Sequence, residues 1–88
     1  MVWTIKILDS AKQDLKKFDK PVQKRIASIL QNRLASLDDP RQLGKALQGQ
    51  YADYWRYRVG DYRLICHIEN KELVILVVEI GHRKDVYL

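Results

Sequence analysis

The sequence predicts an α+β domain with the element order β-α-α-β-β-β, in which two N-terminal helices pack on one face of a curved, mainly antiparallel four-stranded sheet. Two observations support this prediction. Apolar residues recur at helical spacing between residues 9 and 37, and three strand-like segments separated by turn residues follow between residues 53 and 80. With 88 residues, 47% of them hydrophobic, the chain is predicted to form one domain over residues 1–88.

The first half of the chain is predicted to supply one strand and both helices. Residues 2–8 are rich in β-branched side chains, which favour a strand. Asp9 or Ser10 can cap the helix that follows, because their side-chain oxygens accept hydrogen bonds from the free N–H groups of a first turn. The segment Asp19-Lys20-Pro21 ends this helix and begins a second one, predicted over residues 21–37 with proline in its first turn.

The second half of the chain is predicted to supply the remaining strands. Residues 41–49 show no periodicity and are predicted to form a loop. Strands are predicted over residues 53–59, 62–69 and 72–80. Gly60-Asp61 and Asn70-Lys71 are residue pairs typical of tight turns, so these strands should form two hairpins. The face of the sheet opposite the helices should then be free for function.

The charge of the chain favours an anionic partner. The formal net charge is +5 and the pI is about 9.5, which suits nucleic acid or an acidic protein. The excess lies in residues 1–48, which hold 10 Lys and Arg against 5 Asp and Glu. These helical cations fit a nucleic-acid footprint, and they fit equally well the solvated sides of two amphipathic helices.

Cysteine usage and apolar run lengths predict a cytoplasmic protein that makes no membrane contact. Cys66, the single cysteine, cannot form an internal disulfide, and its apolar surroundings suit a buried thiol in a reducing compartment. The longest apolar run, residues 73–78, is too short to cross a bilayer. Residues 1–6 do not have the pattern of a signal peptide.

Arginines at strand spacing are the main functional signal. Arg56 and Arg58 alternate along one predicted strand and therefore share a face. Arg63 begins the next strand, and Arg83 follows the last one. Guanidinium groups that converge on one surface repel each other unless an anion lies between them, and phosphate matches the planar fork of arginine. The sequence therefore predicts a phosphate-binding surface on the sheet.

Metal-free phosphodiester chemistry is the reaction class that fits these residues. Two histidines and one cysteine lack ligand spacing, so neither a metal site nor a cofactor is predicted. RNA supplies its own nucleophile, the 2′-hydroxyl, if a protein holds the phosphate and assists proton transfer. His82 and Tyr87 are candidates for proton transfer or base stacking. Alternation places Tyr54 with the arginines and turns Trp55 and Tyr57 toward the core.

Three stretches of the sequence carry a family resemblance. They are Leu43-Gly44-Lys45-Ala46-Leu47-Gln48-Gly49, Tyr57-Arg58-Val59-Gly60-Asp61-Tyr62-Arg63-Leu64 and Gly81-His82-Arg83-Lys84-Asp85-Val86-Tyr87. Together with the basic helical hairpin they resemble the RelE/ParE superfamily of bacterial toxin–antitoxin systems. The Gly-Asp-Tyr-Arg-Leu stretch is similar to the superfamily as a whole, and the His-Arg-Lys-Asp-Val-Tyr ending is similar to its RelE-like members.

The resemblance implies the toxin component of a type II toxin–antitoxin system. Such a toxin would be a ribosome-dependent endoribonuclease, or mRNA interferase, that cuts mRNA in the ribosomal A site by 2′-hydroxyl attack and inhibits translation. A RelB-like antitoxin would block it, and operator DNA would be contacted only through the antitoxin complex. The site residues of the family pattern fall here on Arg56, Arg58, Arg63, Arg83 and Tyr87.

The chain departs from the family pattern at two strand lysines, which are Arg56 and Arg58 here. Arginine can stabilise negative charge, but it stays protonated and is a poor general base. Proton abstraction then falls to another group, with His82 as a candidate, or depends on substrate positioning. Contacts to the RNA are further predicted for Tyr54, Lys45 and Lys84.

Two other functions fit the same superfamily. A ParE-like toxin would poison DNA gyrase without ribonuclease activity, and it would not need arginines that converge with Tyr87. A relic toxin would bind only its antitoxin and operator, and its expression would not slow growth.

Overall fold

The computed structural model describes residues 3–49 and 52–82. Within these residues the chain forms two α-helices, α1 (Asp9–Lys16) and α2 (Lys20–Ser28). The strands are β1 (Thr4–Ile7), β2 (Lys45–Ala46), β3 (Tyr54–Val59), β4 (Tyr62–Glu69) and β5 (Val74–His82). No helix among the described residues is long and apolar enough to cross a membrane.

The five strands form one mixed sheet in the order β1-β5-β4-β3-β2. β1 runs parallel to β5, and all other neighbouring strands are antiparallel. The α+β class and the mainly antiparallel sheet are thus confirmed, but the strand count of four is wrong. Lys45 and Ala46, placed in a predicted loop, pair with Arg56 and Trp55 and add a strand. Two residues are too few to show alternation, so this strand depends on the edge that β3 offers.

The second helix changes its hydrogen-bond pattern along its length. α2 begins as predicted, with Pro21 in its first turn. After α2 the chain continues as a π-helical segment, Ile29–Leu34. At its end the Ala35 N–H donates to the Leu30 carbonyl, five residues earlier, at 3.0 Å. The helix predicted over residues 21–37 is therefore present in outline, but its second half is not α-helical.

Both helices lie on one face of the sheet and form the main core with it. Ile26, Leu30 and Leu34 are fully buried on the inner side of the second helical segment. The buried sheet residues that they join are Tyr57, Val59, Leu64, Cys66, Ile68, Ile75, Val77 and Ile80. Because full burial of one large aliphatic side chain is worth about 1.5–3 kcal/mol, this cluster stabilises the fold strongly.

α1 covers the edge of β5 beyond the point where β1 ends. The Ser10 hydroxyl donates to the Val78 carbonyl at 2.8 Å, and the Ile80 N–H donates to Asp14 Oδ2 at 3.1 Å. Ser10 therefore serves the sheet edge and not the helix cap predicted for it, since the N-cap position belongs to Leu8. These two bonds fix α1 against β5.

One hairpin turn is as predicted and the other is longer. Gly60-Asp61 joins β3 directly to β4, and Gly60 has a φ of 58°, which a residue without a Cβ adopts easily. The second connection spans residues 70–73, so the last strand begins at Val74 and not at residue 72. Leu73 has a φ of 54°, which is unfavourable for a branched side chain, and its carbonyl accepts the Thr4 N–H at 2.8 Å.

Tyr57 holds the segment that precedes β2 against the core. Its hydroxyl donates to the Pro40 carbonyl at 2.8 Å. A Cβ atom at Gly44 would lie 3.0 Å from the Tyr57 ring, so the chain can approach this closely only with glycine there. Burial raises the pKa of the Tyr57 hydroxyl, which therefore remains a hydrogen-bond donor across the neutral pH range.

We expect Tyr57→Phe to lower the free energy of unfolding by about 1–3 kcal/mol, because the buried Pro40 carbonyl would lose its donor. Urea denaturation measures the change. Tyr62→Phe is the matched control, since the structure gives the Tyr62 hydroxyl no hydrogen-bond partner within residues 3–49 and 52–82. Equal losses in the two variants would contradict the role assigned to the Tyr57 hydroxyl.

Candidate functional site

β3 distributes its side chains onto two faces of the sheet, as its alternation predicts. Tyr57 and Val59 are buried on the helix side, with Trp55 packed against the same core. The opposite side, called the outer face below, receives Tyr54, Arg56 and Arg58. The shared direction of the two arginines is therefore a property of the strand itself.

The strand register brings four cations together on the outer face. Arg58 lies opposite Arg63 in the β3–β4 ladder, and Lys45 lies opposite Arg56 in the β2–β3 ladder. Directly opposed residues have Cβ atoms about 4.5–5.5 Å apart, so like charges in these positions repel each other. These four residues are called the basic patch below. A bound anion would offset their repulsion, and phosphate is the anion that arginine forks match best.

A shallow cleft runs along the basic patch. It has a volume of about 260 Å³ and is lined by Leu43, Gly44, Lys45, Arg56 and Arg58. Its walls come from β3 and from the segment that Tyr57 holds in place. The cleft therefore lies between cations of two strands.

Apolar side chains cover part of the outer face next to the basic patch. Ile65 is only 2% exposed and Leu47 only 9% exposed, and Tyr54 and Val78 pack against them. The Leu47 N–H donates to the Tyr54 carbonyl at 3.1 Å, which ties the chain after β2 to β3. The expectation of a free outer face therefore fails for this small apolar cluster.

The two histidines lie on different faces of the sheet. His82 is paired with Tyr62, and their rings are 5.4 Å apart on the helix side, where Phe18 contacts Tyr62. The structure therefore does not bring His82 together with the basic patch. His67 is paired with Tyr54 on the outer face, with ring centroids 5.7 Å apart.

Glu79 is a further member of the outer face. The β4–β5 ladder changes register between Ile65 and Cys66, so Val78 is an extra residue in β5. Because of this bulge Val78 packs in the outer cluster, while Glu79 is exposed opposite Ile65. The sequence signal that could have marked Glu79 as a candidate is that it is a single carboxylate in an otherwise apolar strand.

Three predicted site residues, Arg83, Lys84 and Tyr87, lie outside the described residues, and their roles stay predictions. The predicted residues that the structure places on the outer face are Tyr54, Arg56, Arg58, Arg63 and Lys45. Among residues 3–49 and 52–82, no group of three His, Cys, Asp or Glu side chains could hold a metal ion.

The buried Cys66 thiol is not placed to act as a nucleophile. Burial raises its pKa from the usual 9.0 to about 12, so the reactive thiolate is scarce in the folded protein. We expect a disulfide reagent to label the folded protein at pH 8 far more slowly than the unfolded protein. Since the folded pKa is raised, stability from this thiol is present below pH 9 and is lost as the pH rises toward 12. Rapid labelling with unchanged circular dichroism would contradict this burial.

Comparison with known sequences shows the family of the chain. The model of the family described as "ParE toxin of type II toxin-antitoxin system, parDE" matches residues 5–87. Toxin RelG of Mycobacterium tuberculosis is 26% identical over 88 residues, which cover 99% of this chain and 98% of that toxin. The chain therefore belongs to the ParE toxin family, within the RelE/ParE superfamily of type II toxin–antitoxin toxins.

Solved structures of such toxins share the fold. The toxin–antitoxin complex RelBE2 of M. tuberculosis matches with a TM-score of 0.87 at 24% identity, over 97% of this chain and 95% of that one. The archaeal RelE–RelB complex of Pyrococcus horikoshii matches with 0.73 at 24% identity, over 98% and 100%. A mutant of Escherichia coli toxin RelE in the free state matches with 0.74 at 18% identity, over 96% and 86%.

Proposed function

We propose that this chain is a ribosome-dependent mRNA interferase, a toxin that cleaves mRNA in the ribosomal A site and so inhibits translation. The observation that carries the proposal is the basic patch, since strand register sets Lys45, Arg56, Arg58 and Arg63 side by side. A surface of this kind suits the phosphate backbone of a single RNA strand. Similarity to toxins named RelG and RelE supports the same assignment.

In this proposal RNA supplies its own nucleophile. The 2′-hydroxyl attacks the adjacent phosphorus, the bond to the 5′ oxygen of the next nucleotide breaks, and a 2′,3′-cyclic phosphate and a 5′-hydroxyl result. Arg56, Arg58 and Arg63 stabilise the charge that develops on the phosphate oxygens. The family resemblance assigns Arg83 and Tyr87 to the same reaction. Because arginine stays protonated, the proton of the 2′-hydroxyl passes to a different group or to water, and the leaving 5′ oxygen takes up a proton from water to become the 5′-hydroxyl.

The proposal includes a RelB-like antitoxin as the partner that blocks the toxin. The similar structures from M. tuberculosis and P. horikoshii are complexes of a toxin with its antitoxin. By this analogy the complex, and not the toxin alone, contacts operator DNA. The free toxin acts in the cytoplasm, on mRNA held by the ribosome.

Poisoning of DNA gyrase is the second candidate function. The matching family model favours it, because that family is described as ParE toxins. A gyrase poison acts by binding a protein and does not require cations that converge on a phosphate. Exchanges in the basic patch should therefore separate the two functions.

Mapping of mRNA 5′ ends in a translation reaction tests the proposal. Purified protein would be added to a translated message and to the same message without ribosomes, and gyrase-dependent DNA breaks would be assayed in parallel. We expect new 5′ ends within A-site codons only when ribosomes are present. Intact mRNA on translating ribosomes, together with gyrase-dependent breaks, would overturn the interferase in favour of the gyrase poison. Intact mRNA without gyrase-dependent DNA breaks would contradict both the interferase and the gyrase poison.

A further inference from the structure

A second cleft opens on the outer face beside the basic patch. It has a volume of about 390 Å³, within the range of about 300–1,000 Å³ that is common for small-molecule sites. One wall belongs to α1 and the other to the sheet. The residues that matter below are Ser10, Asp14, Tyr54, Ile65, Val78 and Glu79. The bonds that Ser10 and Asp14 make to β5 hold the helical wall in position.

The cleft combines apolar surface with two carboxylates, Asp14 and Glu79. Val78 and the ring of Tyr54 supply half-buried apolar surface, and both pack against the buried Ile65. Asp14 already accepts the Ile80 N–H. Glu79 is exposed and makes no hydrogen bond or ion pair with any described residue. Glu79 is therefore the carboxylate of this cleft whose two oxygens both remain open to a ligand among the described residues.

The cleft lies one nucleotide away from the basic patch. Ile65 is paired with Arg56 on one side and with Glu79 on the other. Neighbouring strands are about 4.8 Å apart, so two strand spacings, or about 10 Å, separate the backbones at Arg56 and Glu79. A nucleotide whose phosphate lies on Arg56 can therefore place its base in the cleft, against Tyr54 and Val78, with the base edge toward Glu79.

We propose that this cleft receives one base of the bound RNA, and that Glu79 selects a base with an exocyclic amino group. The proposal rests on the function proposed above. Flat apolar surface and an aromatic ring are what an unstacked base requires, and a carboxylate accepts hydrogen bonds from an amino group on its edge. The bulge at Val78 brings the apolar surface and the carboxylate together, because it turns Val78 and Glu79 toward the same face.

Uracil is the base that this arrangement disfavours. It has no exocyclic amino group, and its one N–H lies between two carbonyl oxygens that repel a carboxylate. Adenine, cytosine and guanine each carry an amino group that donates to Glu79. The negative charge also keeps the RNA phosphates on the basic patch, since they are repelled from the cleft.

Cleavage of messages that differ at single A-site positions tests the selection. Each of the four bases would be placed at each codon position, and single-turnover rates would be measured for the wild type, Glu79→Gln and Glu72→Gln. We expect one position at which the wild type cleaves uracil about tenfold more slowly than the other bases, with Glu79→Gln losing this preference. Glu72→Gln is the matched control, because Glu72 is exposed in the turn before β5 and should leave the preference unchanged.

Nucleotide binding to the isolated toxin tests the cleft independently of cleavage. Amide resonances would be followed by NMR during titration with cytidine or uridine 5′-monophosphate. We expect both nucleotides to shift Arg56 and Arg58, and only the cytidine nucleotide to shift Val78 and Glu79. If the NMR shifts are as expected but the toxin does not cleave mRNA on the ribosome, the interferase function is refuted and base binding in the cleft is supported. Cleavage with an equal base preference in wild type and Glu79→Gln, or equal shifts with both nucleotides, would overturn the selection by Glu79.

Discussion

Arg58→Gln is expected to slow A-site mRNA cleavage by about a hundred- to a thousandfold, the usual loss when one group that stabilises transition-state charge is removed. Arg58 is exposed and lies opposite Arg63, so the exchange removes one of the two guanidiniums to which the proposed function assigns the same phosphate. It should not lower the free energy of unfolding, because it relieves repulsion between like charges across the ladder. Single-turnover cleavage on programmed ribosomes and urea denaturation measure the two effects.

Arg25→Gln is the matched control for this prediction. Arg25 is exposed on α2, where its guanidinium lies near Gly60 and outside the basic patch. The exchange removes the same charge, and cleavage should stay close to the wild-type rate. Equal slowing in both variants would mean that net charge, and not the basic patch, drives the reaction. Full activity of Arg58→Gln would remove Arg58 from the phosphate site.

Leu64→Ala is expected to lower the free energy of unfolding by about 2–5 kcal/mol. Leu64 is 0% exposed at the centre of the sheet, paired with Tyr57 on one side and Ile80 on the other. The loss combines the transfer energy of the removed carbons with the cavity that they leave behind. For a domain whose whole stability is typically about 5–15 kcal/mol, this is a large fraction. The midpoint of urea denaturation should fall while the slope stays constant.

Leu43→Ala removes the same atoms from a surface position and controls for the change of side chain. Leu43 is 41% exposed, so its truncation should change stability by no more than about 0.5 kcal/mol. Similar losses at Leu43 and Leu64 would contradict the position of the core. Leu64→Ala should reduce activity only in proportion to the unfolded fraction, whereas Arg58→Gln should reduce it in a fully folded protein.

Features with a local cause could be predicted from the sequence. Gly60-Asp61 joins β3 to β4 because glycine adopts a positive φ without steric cost. Arg56 and Arg58 share a face because side chains alternate along any strand. The short strand β2 and the true start of β5 at Val74 could not be predicted, since each is set by pairing with a neighbouring strand, β2 with β3 and Val74 with Glu69 of β4.

The register of the strands decides which residues belong to the candidate site. Lys45 meets Arg56 only because β2 adds to the edge of β3. Glu79 joins the outer face through the bulge in β5, while His82 lies on the helix side through its pairing with Tyr62. A shift of one residue in a ladder moves a side chain to the opposite face, and no local pattern reveals that shift.

The sequence by itself determined the α+β class, the turn between β3 and β4, the shared face of two arginines and the superfamily. Only the tertiary structure decided that Arg63 and Lys45 lie beside them, that Ile65 is covered, and that Glu79 faces the second cleft. The physical reason is the separation along the chain over which each kind of interaction acts. Turn and strand preferences act between residues close in the chain, whereas register and bulge arise when distant apolar segments are buried together against the helices.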